Sequence, residues 1–147
     1  MKVSTKGRYG TRALLELSLH YGEGPVLLKD ISKRQQVSLQ YLEHIVNTLV
    51  AGGLVKSSRG VKGGVWLARP PGDIRLSEAV RILEGETNPV KCVQHPDECG
   101  RSCTCATRDV WNEVKDAIDR VLDSITLADL AERQKNKETD NSEMFYI

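Results

Sequence analysis

Aromatic residues are scarce in this chain of 147: two Trp, four Tyr and a single Phe make up 5% of it. No apolar run approaches eighteen residues, so no membrane-spanning helix is expected. Met1–Arg12 is basic but lacks the apolar segment that export requires. A cytoplasmic location, in a reducing compartment, is therefore expected. There is no internal repeat and no long low-complexity segment. No glycine-rich nucleotide loop follows a strand pattern, and no nucleophile is paired with a base. With so few aromatics to line a pocket, an enzyme is not expected.

Cysteine is equally sparing, with four in the chain, yet all four fall within fourteen residues: Cys92, Cys99, Cys103 and Cys105. Thiols that merely fill a core are scattered among apolar faces. These share a polar stretch with His95, Pro96, Asp97, Glu98 and Gly100, a composition that breaks helices and strands. In a reducing compartment such a cluster binds metal or reacts rather than forming a disulfide framework. Structural zinc takes close pairs spaced C-x2-C or C-x4-C. The spacing here is C-x6-C-x3-C-x-C, which suits an iron–sulfur cluster better, since a larger group can be held by more widely spaced thiolates. Zinc and a thiol switch remain the other two chemistries for this loop.

The net charge of +1 conceals an asymmetry. Residues 1–67 carry ten Lys or Arg against four Asp or Glu, and residues 68–147 carry eleven against sixteen. A basic half joined to an acidic one suggests an N-terminal module that meets a polyanion.

Ser4 and Thr5 can cap a first helix whose apolar face is Tyr9, Ala13, Leu14, Leu17 and Leu19. Residues 28–36 read as a short second helix. Ser38 is placed to cap a third over 39–51, with Leu42, Ile45, Val46, Leu49 and Val50 inward and Gly52-Gly53 ending it. Two short helices about a tight turn, followed by a strand, is the helix-turn-helix order. Residues 54–58 and 65–67 read as paired strands around Arg59-Gly60-Val61-Lys62-Gly63-Gly64, a glycine-rich hairpin tip carrying two cations. Such a wing takes basic side chains to phosphates or a minor groove while the second helix of the motif enters the major groove. Ser38, Gln40, Tyr41, Glu43 and His44 lie on the first turns of that helix, and Arg59, Gly60 and Lys62 on the wing, so these eight are the candidate DNA-binding residues. His20 is expected to pack.

Residues 77–84 read as a fourth helix, and 107–124 as a long one with Val110, Trp111, Val114, Ile118, Val121 and Leu122 on one stripe. A head of 67 residues cannot cover five turns, so this helix is expected to dimerise. Thr126-Leu-Ala-Asp129 opens a last short helix with a capping-box pattern. The fold class expected is mainly α with a small β-hairpin wing: a winged helix-turn-helix head over 1–84, the cysteine loop over 85–106, dimerisation helices over 107–134 and a flexible tail over 135–147.

Three motifs together resemble the Rrf-two family of bacterial winged-helix regulators: Ser4-Thr5-Lys6-Gly7-Arg8-Tyr9, Tyr41-Leu42-Glu43, and Gly53-Leu54-Val55-Lys56-Ser57 with Arg59-Gly60-x-x-Gly63-Gly64. The resemblance implies a homodimeric transcription regulator on a palindromic DNA operator. The cysteine loop is similar to that of the iron–sulfur biogenesis regulators in this family, the IscR group. That likeness implies a 2Fe–2S cluster held by Cys92, Cys99 and Cys105, with a histidine three residues later. Here that position is Arg108, which has no lone pair to offer iron. Cys103 is the nearest fourth ligand and His95 the next. A carboxylate from the partner's first helix, as in the nitric-oxide-sensing members, meets Arg8 at the matching position. In the IscR group the glutamate matching Glu43 helps separate two classes of operator. The segment 124–131 and the ending Met144-Phe145-Tyr146-Ile147 resemble instead the cysteine-metabolism repressors, the CymR group, which implies cysteine synthase as a partner for the tail. A dimer held by structural zinc is the remaining alternative.

Overall fold

The computed structural model describes residues 2–146. Its first helix, α1 (Thr5–Leu19), starts where Ser4 accepts the Gly7 N–H with its side-chain oxygen, satisfying one of the donors that a helix start leaves free. Then come α2 (Leu28–Gln35) and α3 (Leu39–Ala51). Between them Gln36 adopts the left-handed conformation, φ 54°, and the Ser32 hydroxyl donates to the Val37 carbonyl at 2.6 Å, which fixes the sharp turn. Ser38 caps α3 through the Tyr41 N–H. Gly52 and Gly53 follow its end, Gly53 with φ 79°.

Strands β1 (Val55–Ser58) and β2 (Gly64–Leu67) pair antiparallel, with Val55 opposite Leu67 and Ser58 opposite Gly64. Val26 adds a single bridge to Val65 on the outer side. The expected wing is thus formed. The core of this head is Leu14, Leu17, Ile31, Leu42, Ile45, Leu49, Leu54 and their buried neighbours. At the end of α3 the inward set is Leu42, Ile45, Val46 and Leu49, and Val50 is exposed, because at 3.6 residues per turn it falls at the edge of the stripe those four define.

Helix α4 (Leu76–Glu84) packs on α1, α3 and the long helix α6 (Ala106–Ser124). Between α4 and α6 the cysteine segment is more ordered than its composition suggests. It holds a one-turn helix, α5 (Lys91–Gln94), and two 3-10 turns over Pro96–Glu98 and Ser102–Thr104. These single turns need few good helix formers because each is closed by only one or two hydrogen bonds.

The last helix, α7 (Leu127–Met144), begins with the expected capping box of Thr126 and Asp129. It packs on α1, and Leu127 and Ala131 are buried. Leu127 belongs to the same core cluster as Leu14 and Leu49, so a residue far beyond position 84 completes the head. The tail expected to be flexible from Lys135 continues as helix to Met144. Lys, Glu and Gln propagate a helix without tertiary cover, and the Gln134 amide donates to Glu138 one turn on at 2.9 Å. Ile147, the last residue of the tail motif, lies outside the described residues. Among the described residues no helix is long and apolar enough to cross a membrane.

Candidate nucleic-acid interface and cysteine loop

The cap at Ser38 sets the start of α3 in the open. Ser38, Gln40, Glu43 and His44 are all exposed on its first turns, while Leu42 and Ile45 hold the opposite face in the core. Tyr41 is half-buried, its ring edge-on to Tyr9 of α1 with centroids 6.5 Å apart. At the wing tip Arg59 and Lys62 are exposed, and Gly60 takes φ 105°, which only glycine adopts without strain. Gly63 is enclosed: a Cβ there would lie 2.5 Å from the Ser58 carbonyl oxygen. The hairpin therefore turns tightly enough to carry two cations at its tip. All eight residues expected at the interface belong to the third helix or the wing.

Two further cations accompany them. The Arg8 and Arg12 guanidinium groups lie 5.2 and 5.7 Å from the Tyr9 ring centre, each attracted by its π face. Through the Tyr9–Tyr41 contact they sit beside the recognition helix. Their i, i+4 spacing around an aromatic residue is the signal in the sequence that marks them. His20 departs from its expected role: its Nδ1 is 2.7 Å from Glu23 Oε2, and it is only partly covered. Beneath it the buried carboxylate of Glu16 accepts from Gln35 Nε2 at 2.9 Å and pairs with Arg34 Nε at 3.1 Å.

All four cysteines are free thiols, with Cys103 exposed and Cys92, Cys99 and Cys105 partly covered. Cys105 is the cap residue of α6. The Thr107 hydroxyl, 3.1 Å from its Sγ, and then the Arg108 backbone N–H hold this thiol below its ordinary pKa, since both stabilise the thiolate. Arg108 turns back over the loop and donates from Nε to the Cys92 carbonyl at 3.0 Å. His95 is exposed at the end of α5. Among the described residues, no three or more His, Cys, Asp or Glu side chains are gathered as a metal-holding set. The donor chemistry does fit a soft metal group: unpaired thiols in one segment, one of them with its pKa lowered.

Where the loop leaves α4, Asn88 has both amide atoms shielded from solvent and no hydrogen-bond partner among the described residues. It lines a cavity of 420 Å³ with Val3, Gly7, Glu84, Ile118 and Leu122, between α1, α4 and α6. The outer face of α6 leaves Val110, Trp111 and Val121 exposed.

Comparison with known proteins places this architecture. The sequence family described as Rrf2, iron-dependent transcriptional regulator, matches residues 3–133. This chain belongs to the Rrf2 family. It is a DNA-binding transcriptional regulator. The HTH-type transcriptional regulator CymR of Bacillus subtilis is 41% identical over 147 residues, the whole of both chains. The solved structure of that global cysteine regulator matches with a TM-score of 0.79 over 90% of this chain and 98% of the other. Protein rrf2 of Nitratidesulfovibrio vulgaris is 42% identical over 130 residues, 88% of this chain and 87% of that one. The solved T. potens IscR is 45% identical, with a TM-score of 0.75 over 91% of this chain and 88% of that one. Both subgroups that the sequence resembles are therefore among its relatives.

Proposed function

We propose that this chain is a homodimeric regulator that senses iron–sulfur cluster status and controls genes of iron–sulfur cluster biogenesis. The observation that supports it is the loop: four unpaired thiols in one segment, anchored to the head on one side by α4 and to α6 on the other. Cys92, Cys99 and Cys105 would hold a 2Fe–2S cluster, with Cys103 as the fourth ligand in place of the histidine that Arg108 replaces. Bound there, the cluster would supply an occupancy- and redox-sensitive link across the loop.

The protein's own residues do the rest. The exposed apolar stripe of α6 pairs with its counterpart in a second copy, which sets two heads for a palindromic operator. Gln40 suits adenine. Glu43 accepts from cytosine N4 and penalises sites that leave it unpaired. Arg59 and Lys62 reach phosphates or the minor groove beside the helix.

A second reading draws on the end-to-end likeness to CymR. It makes this chain a cysteine-metabolism repressor that docks cysteine synthase through its end. Met144, Phe145 and Tyr146 are largely exposed beyond the polar part of α7, and exposed apolar residues at a chain end suit a receiving pocket.

Anaerobic purification separates the readings. A brown protein with visible absorption, two iron and two sulfide per subunit and a reduced-state electron paramagnetic resonance signal is the expected result. A colourless zinc-containing dimer would establish the structural-zinc alternative. A metal-free protein that retains cysteine synthase, and loses it when residues 144–147 are deleted, would establish the second reading.

A further inference from the structure

The last three residues of α4 are each seated against a glycine of the DNA-binding head. A Cβ on Gly52, which caps the recognition helix, would lie 2.7 Å from the Ile82 side chain. One on Gly10 would lie 2.6 Å from Leu83, and one on Gly7 would lie 1.9 Å from Glu84 Oε1. At all three positions the missing side chain lets an α4 side chain lie directly on the backbone of the head. Glu84 adds hydrogen bonds: its carboxylate accepts the Ser4 N–H at 3.0 Å and the Ser4 hydroxyl. That hydroxyl oxygen in turn accepts the Gly7 N–H at 3.0 Å. The acid at the end of α4 thus closes the start of α1, where the helix dipole favours a carboxylate.

The next residue is a joint. Gly85 has φ 80° and ψ −156°, a combination essentially reserved for glycine. From it the chain runs through Asn88, with its unpaired amide, into the cysteine segment. The loop is therefore hung by a one-residue pivot from the point where α4 is wedged against α1 and the end of α3 at once.

We propose that this last turn of α4 transmits the state of the cysteine loop to the recognition helix, with Ile82 as the positioning residue for α3 and Glu84 for α1. The proposal rests on the loop being a sensor. A shift of the α4 terminus moves Gly52 and Gly7 together, because interlocked contacts change between discrete packings rather than stretching. Gly52 lies at the far end of α3 from its DNA-facing turns, so displacement there tilts the reading end of the helix. Neither Ile82 nor Glu84 needs to touch DNA.

The test is operator affinity of the full-length protein in two loop states, for the wild type, Ile82→Ala and Glu84→Ala. The loop states are cluster-loaded against cluster-free and, independently, cysteines capped with iodoacetamide against uncapped. Wild type is expected to differ between states by about fivefold or more. Each variant is expected to stay within about twofold between states, with cluster absorbance, alkylation stoichiometry and melting temperature preserved. Glu84→Ala removes the acceptor for Ser4 and leaves the Ile82 contact with Gly52 in place, so it carries the test if Ile82→Ala does not fold. Variants that keep the wild-type ratio overturn the proposal, as does a wild type indifferent to both perturbations. Absence of a cluster alone overturns the sensing reading, while the iodoacetamide comparison still decides the transmission.

Discussion

Arg108 Nε donates to the Cys92 carbonyl across 3.0 Å, joining the first turn of α6 to the one-turn helix that holds the first cysteine. The residue that cannot ligate iron is therefore a brace for the loop that carries the thiols. Arg108→Ala should free the segment, raising the rate of limited proteolysis within 91–105 and lowering stability by roughly 1 kcal/mol, the net worth of one such bond. Arg108→His should lose the brace and offer an imidazole. A shift in the visible spectrum of this variant, absent in Arg108→Ala, would show the imidazole entering the ligand set.

Cys103 is the exposed thiol of the four. Single Ala substitutions at Cys92, Cys99 or Cys105 should each abolish visible absorption, since each removes an anionic ligand. Cys103→Ala should shift or weaken the spectrum if it completes the set. An unchanged spectrum would return the fourth position to His95.

At the interface, Arg59→Ala should weaken operator binding by about 1–3 kcal/mol and lower the salt slope by about one, as expected of a groove or phosphate contact. Glu43→Ala should broaden the operators bound by the cluster-free protein. Selection from a randomised operator pool reads this directly, and an unaltered consensus would remove Glu43 from discrimination.

Leu127 is fully buried in the head. Leu127→Ala should cost about 2–5 kcal/mol in denaturant unfolding, as large-to-small changes in a packed core do. The wing and the recognition helix should lose cooperativity along with α7.

Asp129 accepts the Thr126 N–H at 2.8 Å, and this bond, with the Thr126 hydroxyl, holds its carboxyl below the usual carboxylate range. A group whose folded pKa is depressed stabilises the fold above its unfolded value, about 3.9, and loses that contribution as pH falls through the folded one. Fraying of α7 by circular dichroism should therefore begin below about pH 4. Asp129→Asn should remove that acid-dependent step.

Much of this was legible in the sequence because it is local. Ser38 and Gly52-Gly53 bound α3 to the residue, Thr126 and Asp129 mark the start of α7, and the glycines of 60–64 specify the wing. Each of these acts on backbone within four residues of itself. Other features were hidden because they depend on distant partners. Gly7, Gly10 and Gly52 look like ordinary weak points of a helix until Glu84, Leu83 and Ile82 are placed against them. Leu127 reads as one more apolar residue beyond the dimer helix, and its seat in the head is visible only in three dimensions. The helical tail is hidden for a different reason: a polar composition with Lys and Glu suits both a solvated helix and a disordered end, and side-chain bonds such as that from Gln134 to Glu138 add only a few tenths of a kcal/mol, about 0.2–0.5, toward the helix.

The zipper at the base of α7 sets the order in which the molecule can be finished. The Leu76 N–H donates to Ile125 and the Leu127 N–H to Ile74, at 2.8 and 2.9 Å, so the excursion through the cysteine loop and α6 starts and returns at one place. In a chain emerging from the ribosome, Leu127 reaches the core only after that excursion has been made. Synthesis interrupted within the cysteine segment leaves a head whose core lacks Leu127. The core of the head is therefore completed only by residues that follow the cysteine segment in the chain.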